Sequence, residues 1–267
     1  MSHFWNNLGN RKPLSIIAGP CVAESEKLCR EVADFCADVC DQYGINYIFK
    51  ASFDKANRTS FRSYRGLGWT DTWDIFESIQ GMGIEVLTDV HDVDQARSTN
   101  ADVIQIPAFL CRQTDLLKAA AESGKPVNVK KGQFLAPWDI QNIEEKLIHF
   151  GCTRYMFTER GSSFGYGQLV VDMTGLQTMK NLNNCPIIMD CTHAVQRPGS
   201  GGITTDGNRE LAPVLARAAV AVGIAGVFAE VHPNPDHAPS DGPNMLSFNM
   251  FEDMVGDLHR IDEVVKI

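Results

Sequence analysis

No stretch of this chain is apolar enough to cross a bilayer. The longest apolar run, Ala218 to Ala229, lies between Arg217 and Glu230, well short of the ~18 to 20 residues a membrane helix requires. The opening residues, Met1-Ser2-His3-Phe4-Trp5-Asn6-Asn7, lack the apolar core of a signal peptide. Positive charge is also scarce. Lys and Arg number 24 against 33 Asp and Glu, a net −9, which argues against non-specific binding to nucleic acid or a membrane surface. An anionic ligand would need basic residues concentrated locally. The eight cysteines have no compact, even spacing, so they read as reduced thiols and not as a disulfide framework. Residues Gly161 to Gly167 and Gly199 to Gly207 are glycine-rich, but neither has the form of a nucleotide-binding loop. The segment after Pro198 reads instead as a flexible lid. Linkers, low-complexity tracts and composition shifts are missing too. These absences predict a cytoplasmic, soluble protein of one domain, residues 1 to 267, with no nucleic-acid or membrane partner.

What is present is a large apolar core. Hydrophobic residues make up 44% and charged residues 21% of 267 positions, which suits one large barrel or a doubly wound sheet. Short runs rich in β-branched residues recur at Leu14 to Ala18, Tyr47 to Lys50, Ile84 to Thr88, Asp102 to Ile106 and Val127 to Lys130. Further runs follow at Tyr155 to Thr158, Pro186 to Asp190 and Gly226 to Glu230. Most are apolar without alternation, as strands buried on both faces of a parallel sheet must be. Segments of helical period lie between them. The first, Ser25 to Tyr43, aligns Leu28, Val32, Phe35 and Val39, with Ser25 or Glu24 placed to cap it. Cys29, Cys36 and Cys40 share one face of it and read as core. The other helical segments are Asp71 to Gly81, Asp92 to Thr99, Gln113 to Ser123, Asp139 to Phe150, Thr174 to Asn181, Glu210 to Val222 and Phe248 to Val265. Eight strand–helix units predict a single-domain α/β fold, a (β/α)8 TIM barrel. An open doubly wound sheet is the alternative. Residues 1 to 13 precede the first strand as an extension or a cap.

In such a barrel the working residues lie where strands end and loops begin. Those positions here are rich in ionisable groups, and two chemistries can be drawn from them. Lys50, Lys55, Arg58, Arg112, Lys130 and Arg160 would converge on one mouth, suited to a small ligand bearing phosphate and carboxylate. The alternative is that they form surface salt bridges. Cys21, His193, Glu230 and Asp241 offer sulfur, nitrogen and oxygen donors suited to Zn²⁺, Fe²⁺ or Mn²⁺. No spacing motif supports that set, and Cys21 taken alone reads more readily as a small buried residue than as a ligand. His232, His237 and His149 read as structural or helix-face residues.

Longer motifs carry a resemblance. Ile17-Ala18-Gly19-Pro20-Cys21, the segment Phe49 to Arg58, Ile104 to Leu110, Asn128 to Phe134 and Thr158-Glu159-Arg160-Gly161 resemble the 3-deoxy-D-manno-octulosonate 8-phosphate (Kdo-8-phosphate) synthase family. So do Thr192-His193-Ala194-Val195-Gln196 and Ser240-Asp241-Gly242-Pro243. The resemblance implies a TIM barrel, usually a homotetramer. Its reaction condenses phosphoenolpyruvate with arabinose 5-phosphate and releases phosphate, on the way to the Kdo sugar of lipopolysaccharide.

Position by position, the resemblance places Lys55, Gln105, Lys130, Arg160 and His193 at the phosphoenolpyruvate site. It places Lys50, Asn57, Arg58, Thr59 and Asp89 at the arabinose 5-phosphate site, and has Arg112 reach the sugar phosphate of a neighbouring subunit. Relatives commonly carry Ser where this chain has Thr59. The heptulosonate 7-phosphate synthases, which share the fold, typically carry Lys-Pro-Arg-Thr-Ser where this chain has Lys55-Ala56-Asn57-Arg58-Thr59. That difference favours the five-carbon sugar phosphate over erythrose 4-phosphate. A non-catalytic phosphosugar-binding barrel would leave His193 and Glu230 unexplained. Family members with Cys after Gly-Pro bind a divalent metal and those with Asn do not. Cys21 therefore implies the metal-dependent form, with Cys21, His193, Glu230 and Asp241 as ligands. Ser240 agrees, since the metal-independent form often has Cys there.

Overall fold

The computed structural model describes residues 2–58, 60–183, 185–201 and 204–266. The apolar runs become eight parallel strands: β1 Ser15–Gly19, β2 Asn46–Lys50, β3 Val86–Asp89, β4 Val103–Ile106, β5 Val127–Lys130, β6 Tyr155–Glu159, β7 Ile187–Asp190 and β8 Gly226–Glu230. Each pairs with its sequence neighbour, and β1 pairs with β8, so the sheet closes into a barrel. Closure excludes the open doubly wound sheet. The protein is a (β/α)8 TIM barrel.

Nine helices are described: α1 His3–Asn7, α2 Glu26–Gln42, α3 Trp69–Gln80, α4 Val93–Ser98, α5 Thr114–Glu122, α6 Ile140–His149, α7 Met173–Asn183, α8 Ala212–Ala221 and α9 Phe248–Val265. On α2 the Ser25 hydroxyl accepts from the Leu28 N–H at 3.2 Å, satisfying one of the free donors of the first turn. The face it buries is centred on Cys29, Val32, Cys36, Val39 and Cys40, while Leu28 and Phe35 are only half-buried. All eight cysteines are buried and unpaired. No helix among the described residues is long and apolar enough to cross a membrane.

Inside the barrel the side chains change character from bottom to top. Toward the N-terminal ends of the strands, Phe4 of α1 shares one apolar cluster with Ile17, Ile48, Leu87, Val103, Met156 and Ile188. Above this apolar layer lies a polar one. Asn128 donates to Gln105 at 3.0 Å and accepts from Thr158 at 2.7 Å, so buried polar groups are matched to one another. The charged mouth begins above that layer. Register places its walls, with Gly19 opposite Glu230 and Asp89 opposite Gln105. Gly19 permits the close approach of β1 to β2, since a Cβ there would lie 2.1 Å from the Lys50 carbonyl oxygen.

Two small hairpins rise from the loops after β6 and β7, which the sequence reading left as glycine-rich loops. One pairs Ser162–Ser163 with Leu169–Val170, and the other pairs Gln196–Gly201 with Thr204–Gly207. The segment expected to be a flexible lid is therefore largely a two-stranded ribbon. Its residues 202 and 203 lie outside the described residues.

Candidate active site

The mouth encloses a cavity of about 460 Å³ at the C-terminal ends of the strands. Lys50, Lys55, Arg58, Lys130 and Arg160 all line it. The sequence reading expected six cations, and Arg112 is the exception. It is exposed, beyond the short 3₁₀ turn Ala108–Leu110 that ends at the cavity wall. The turn carries the chain outward before α5 begins, so within one chain the convergence is five-fold.

Lys130 and Arg160 stand at the exits of the paired strands β5 and β6. The buried Lys130 ammonium is hydrogen-bonded to the fully buried Asp190 carboxylate and lies 3.2 Å from the centroid of the Phe228 ring. Burial lowers the Lys130 pKa to about 8 despite Asp190, and the nearby charges of Lys50 and Arg160 add to that effect. Asp190 itself is held well below the usual carboxylate range, because His193 and Lys130 outweigh its burial. Arg160 donates through Nη2 to Gln196 at 2.8 Å. Its Nη1 is buried without a partner, a charged donor with bonding capacity to spare. Gln105, another of the five residues expected at the phosphoenolpyruvate site, lines the same cavity.

Lys50, Asn57, Arg58 and Asp89 line the same cavity. Lys50 Nζ donates to Ser52 Oγ at 2.9 Å and lies 3.5 Å from Asp89. Burial would raise the Asp89 pKa, but Lys50 and the 3.1 Å contact from His91 hold it well below the usual range. The Arg58 guanidinium donates to Ser240 Oγ and to the Pro239 carbonyl oxygen. Thr59 lies outside the described residues.

Near these cations, donor atoms of Cys21, Glu230 and Asp241 lie within 4.8 Å of one another. The Cys21 sulfur is 3.3 Å from Asp241 Oδ2. His193 joins from one side, its Nε2 lying 3.5 Å from Glu230 and 4.0 Å from Asp241. Its Nδ1 is 2.8 Å from Asp190, a carboxylate that orients the ring and leaves Nε2 toward the cluster. Both Glu230 carboxylate oxygens are buried without a hydrogen-bond partner. The Lys55 ammonium lies 3.8 Å away, and a carboxylate buried without a hydrogen-bond partner calls for a positive ion. Burial would lower the Lys55 pKa, but Cys21, Glu230, Asp89 and Asp241 together raise it. Asp241 is held in a left-handed backbone conformation, φ 53°, a strain typical of functional sites. The donor set fits a borderline-soft divalent ion.

Comparison with known proteins identifies the group. The sequence profile of the DAHP synthetase I family matches residues 6–266. The chain belongs to this family. Within it, the chain is 54% identical over 261 residues to the 2-dehydro-3-deoxyphosphooctonate aldolase of Rhodopseudomonas palustris. It is 53% identical to the corresponding protein of Nitrobacter winogradskyi and 52% identical to that of a Bradyrhizobium species. Each alignment covers 97% of this chain and 91% of the relative. These relatives share a single name.

Four polar members of the site went unassigned in the sequence reading. Asp190, His91, Gln133 and Gln196 were visible at strand exits or in motifs, but nothing local marks a buried carboxylate as the partner of Lys130 and His193. The signal available was position, since Asp190 ends a barrel strand.

Proposed function

We propose that this protein is a Kdo-8-phosphate synthase of the metal-dependent type. It condenses phosphoenolpyruvate with D-arabinose 5-phosphate and water to give 3-deoxy-D-manno-octulosonate 8-phosphate and phosphate. The product is the compound in the relatives' name, a phosphorylated eight-carbon 2-keto acid without a 3-hydroxyl. The reading is supported by five cations converging on one cavity, which we divide into two halves, Lys130 with Arg160 and Lys50 with Arg58, beside a cluster of metal donors.

The chemistry follows from that division. Two anions that repel each other must be brought into contact, so charge neutralisation and positioning are the main tasks. Lys55, Gln105, Lys130, Arg160 and His193 hold phosphoenolpyruvate. Lys50, Asn57, Arg58, Thr59 and Asp89 hold the sugar phosphate, with Arg112 completing a neighbour's site in a homotetramer. The methylene carbon of phosphoenolpyruvate attacks the sugar aldehyde, and positive charge develops at the enol carbon. Water adds to that carbon, and the phosphate then leaves. Cys21, His193, Glu230 and Asp241 would hold one divalent ion, Zn²⁺, Fe²⁺ or Mn²⁺, which supplies Lewis acidity to orient the aldehyde or the water. The setting is cytoplasmic lipopolysaccharide synthesis.

Phosphate release measured with each aldehyde tests the reading. Arabinose 5-phosphate should give the higher kcat/KM. A preference for erythrose 4-phosphate would assign the heptulosonate reaction instead, and turnover with neither would leave a binding barrel.

A further inference from the structure

Lys131 is an unusual residue for its surroundings. Its side chain is fully buried, yet it faces away from the cavity that Lys130 lines. Adjacent residues of a strand point to opposite faces, and the same alternation separates Glu159 from Arg160. The backs of the two strand ends therefore carry an ion pair, with Lys131 Nζ 3.5 Å from Glu159 Oε2. The rest of the ammonium is satisfied by the loops on either side. It donates to the Leu135 carbonyl at 2.9 Å, the Gly132 carbonyl at 3.3 Å and Ser162 Oγ at 3.3 Å. Glu159 Oε1 in turn accepts the backbone N–H groups of Arg160 at 2.9 Å and Gly161 at 2.6 Å.

We propose that Lys131 and Glu159 are a positioning pair that sets the spacing and orientation of Lys130 and Arg160. The inference rests on the reading of those two residues as the phosphoenolpyruvate anion site. Every bond of the pair leads to one of the two chain segments carrying them. Lys131 ties the loop after β5 to the loop after β6. Glu159 holds the first two amides of the β6 loop, where Gly161 adopts φ 88°. A buried ion pair is a weak source of net stability, whereas an anion site depends steeply on the placement of its donors.

The test separates placement from stability. In the full-length enzyme, the double variant Lys131→Met/Glu159→Gln removes both charges, so no unpaired ion is left buried. The introduced amide oxygen at 159 still accepts from the loop amides. Its urea midpoint should stay near that of the parent, with phosphoenolpyruvate KM raised roughly tenfold. Arabinose 5-phosphate KM and kcat should stay within about twofold of the parent values. Glu159→Gln alone is the milder variant and should raise phosphoenolpyruvate KM several-fold if the double variant does not fold. An unchanged phosphoenolpyruvate KM in the folded variant, or an equal rise for both substrates, would overturn the proposal. Lys130→Ala serves as the control. If it also left phosphoenolpyruvate KM unchanged, the reading of the anion site itself would fail.

Discussion

Lys130 shows how one residue can bind activity and stability to pH in opposite senses. Its ammonium is buried over the Phe228 ring, and its pKa is lowered from 10.5 to about 8. If the charged form holds phosphoenolpyruvate, kcat/KM for that substrate should fall as pH rises through about 8. The stability effect runs the other way. Between about 8 and 10.5 the unfolded chain binds this proton more readily than the folded one, so this group's contribution to stability rises with pH across that window. Urea unfolding at pH 7.5 and 9.5, of the parent and of Lys130→Met, would show the parent gaining relative to the variant. A kcat/KM profile with no alkaline limb would remove the charged Lys130 from substrate binding. Arg58 makes the complementary case. Its guanidinium reaches Ser240 and Pro239 from the far side of the cavity. Arg58→Ala should cost roughly 1.5 to 3 kcal/mol in sugar phosphate binding, with phosphoenolpyruvate KM nearly unchanged. The reverse pattern would mean the two halves are exchanged.

Among the elements, α1 is the shortest helix and the one with the most concentrated role. Its Phe4 ring fills the apolar layer beneath β1 to β8 and is fully buried. Asn46 donates to the Phe4 carbonyl at 3.0 Å, and the Phe4 N–H meets the Glu85 carboxylate, which fixes the helix to the starts of β2 and β3. Phe4→Ala should therefore cost about 3 to 5 kcal/mol, read as a lower urea midpoint with KM values little changed. Stability equal to the parent would show that the ring is not needed to close the barrel floor. The strands were legible because burial on both faces leaves near-continuous apolar runs. The hairpins at 162–170 and 196–207 were not. Their residues are polar and glycine-rich, and their pairing depends on two loop segments meeting above the mouth.

At the scale of the whole molecule, the four proposed metal donors come from separate stretches of chain. Cys21 follows β1, His193 follows β7, Glu230 ends β8 and Asp241 lies in the next loop. Chelation should yield a metal-free protein without activity, and added Zn²⁺, Fe²⁺ or Mn²⁺ should restore it. Cys21→Ser should lose both metal and turnover. Full activity in protein shown by elemental analysis to hold no metal would end that assignment. Arg112 poses the other molecular question. It is exposed and outside its own cavity, as a residue serving a neighbour would be. Light scattering should report a tetramer, and an active, strictly monomeric species would remove Arg112 from the site.

Strand positions, the number of strand–helix units and the cations at strand exits were determined by the sequence itself, because burial and backbone period are written locally. The motifs around Cys21, Lys130 and His193 carried the resemblance for the same reason, being short and contiguous. Only the tertiary structure decided which groups meet. Asp190 becomes the link between Lys130 and His193, and Lys131 turns its back on the cavity its neighbour lines, once β5, β6 and β7 stand side by side. It also decided that Arg112 leaves the mouth its sequence position seemed to share, since a single turn at Ala108–Leu110 redirects the chain. Contacts of this kind depend on barrel closure, which brings together side chains tens of residues apart, and no local pattern encodes that distance.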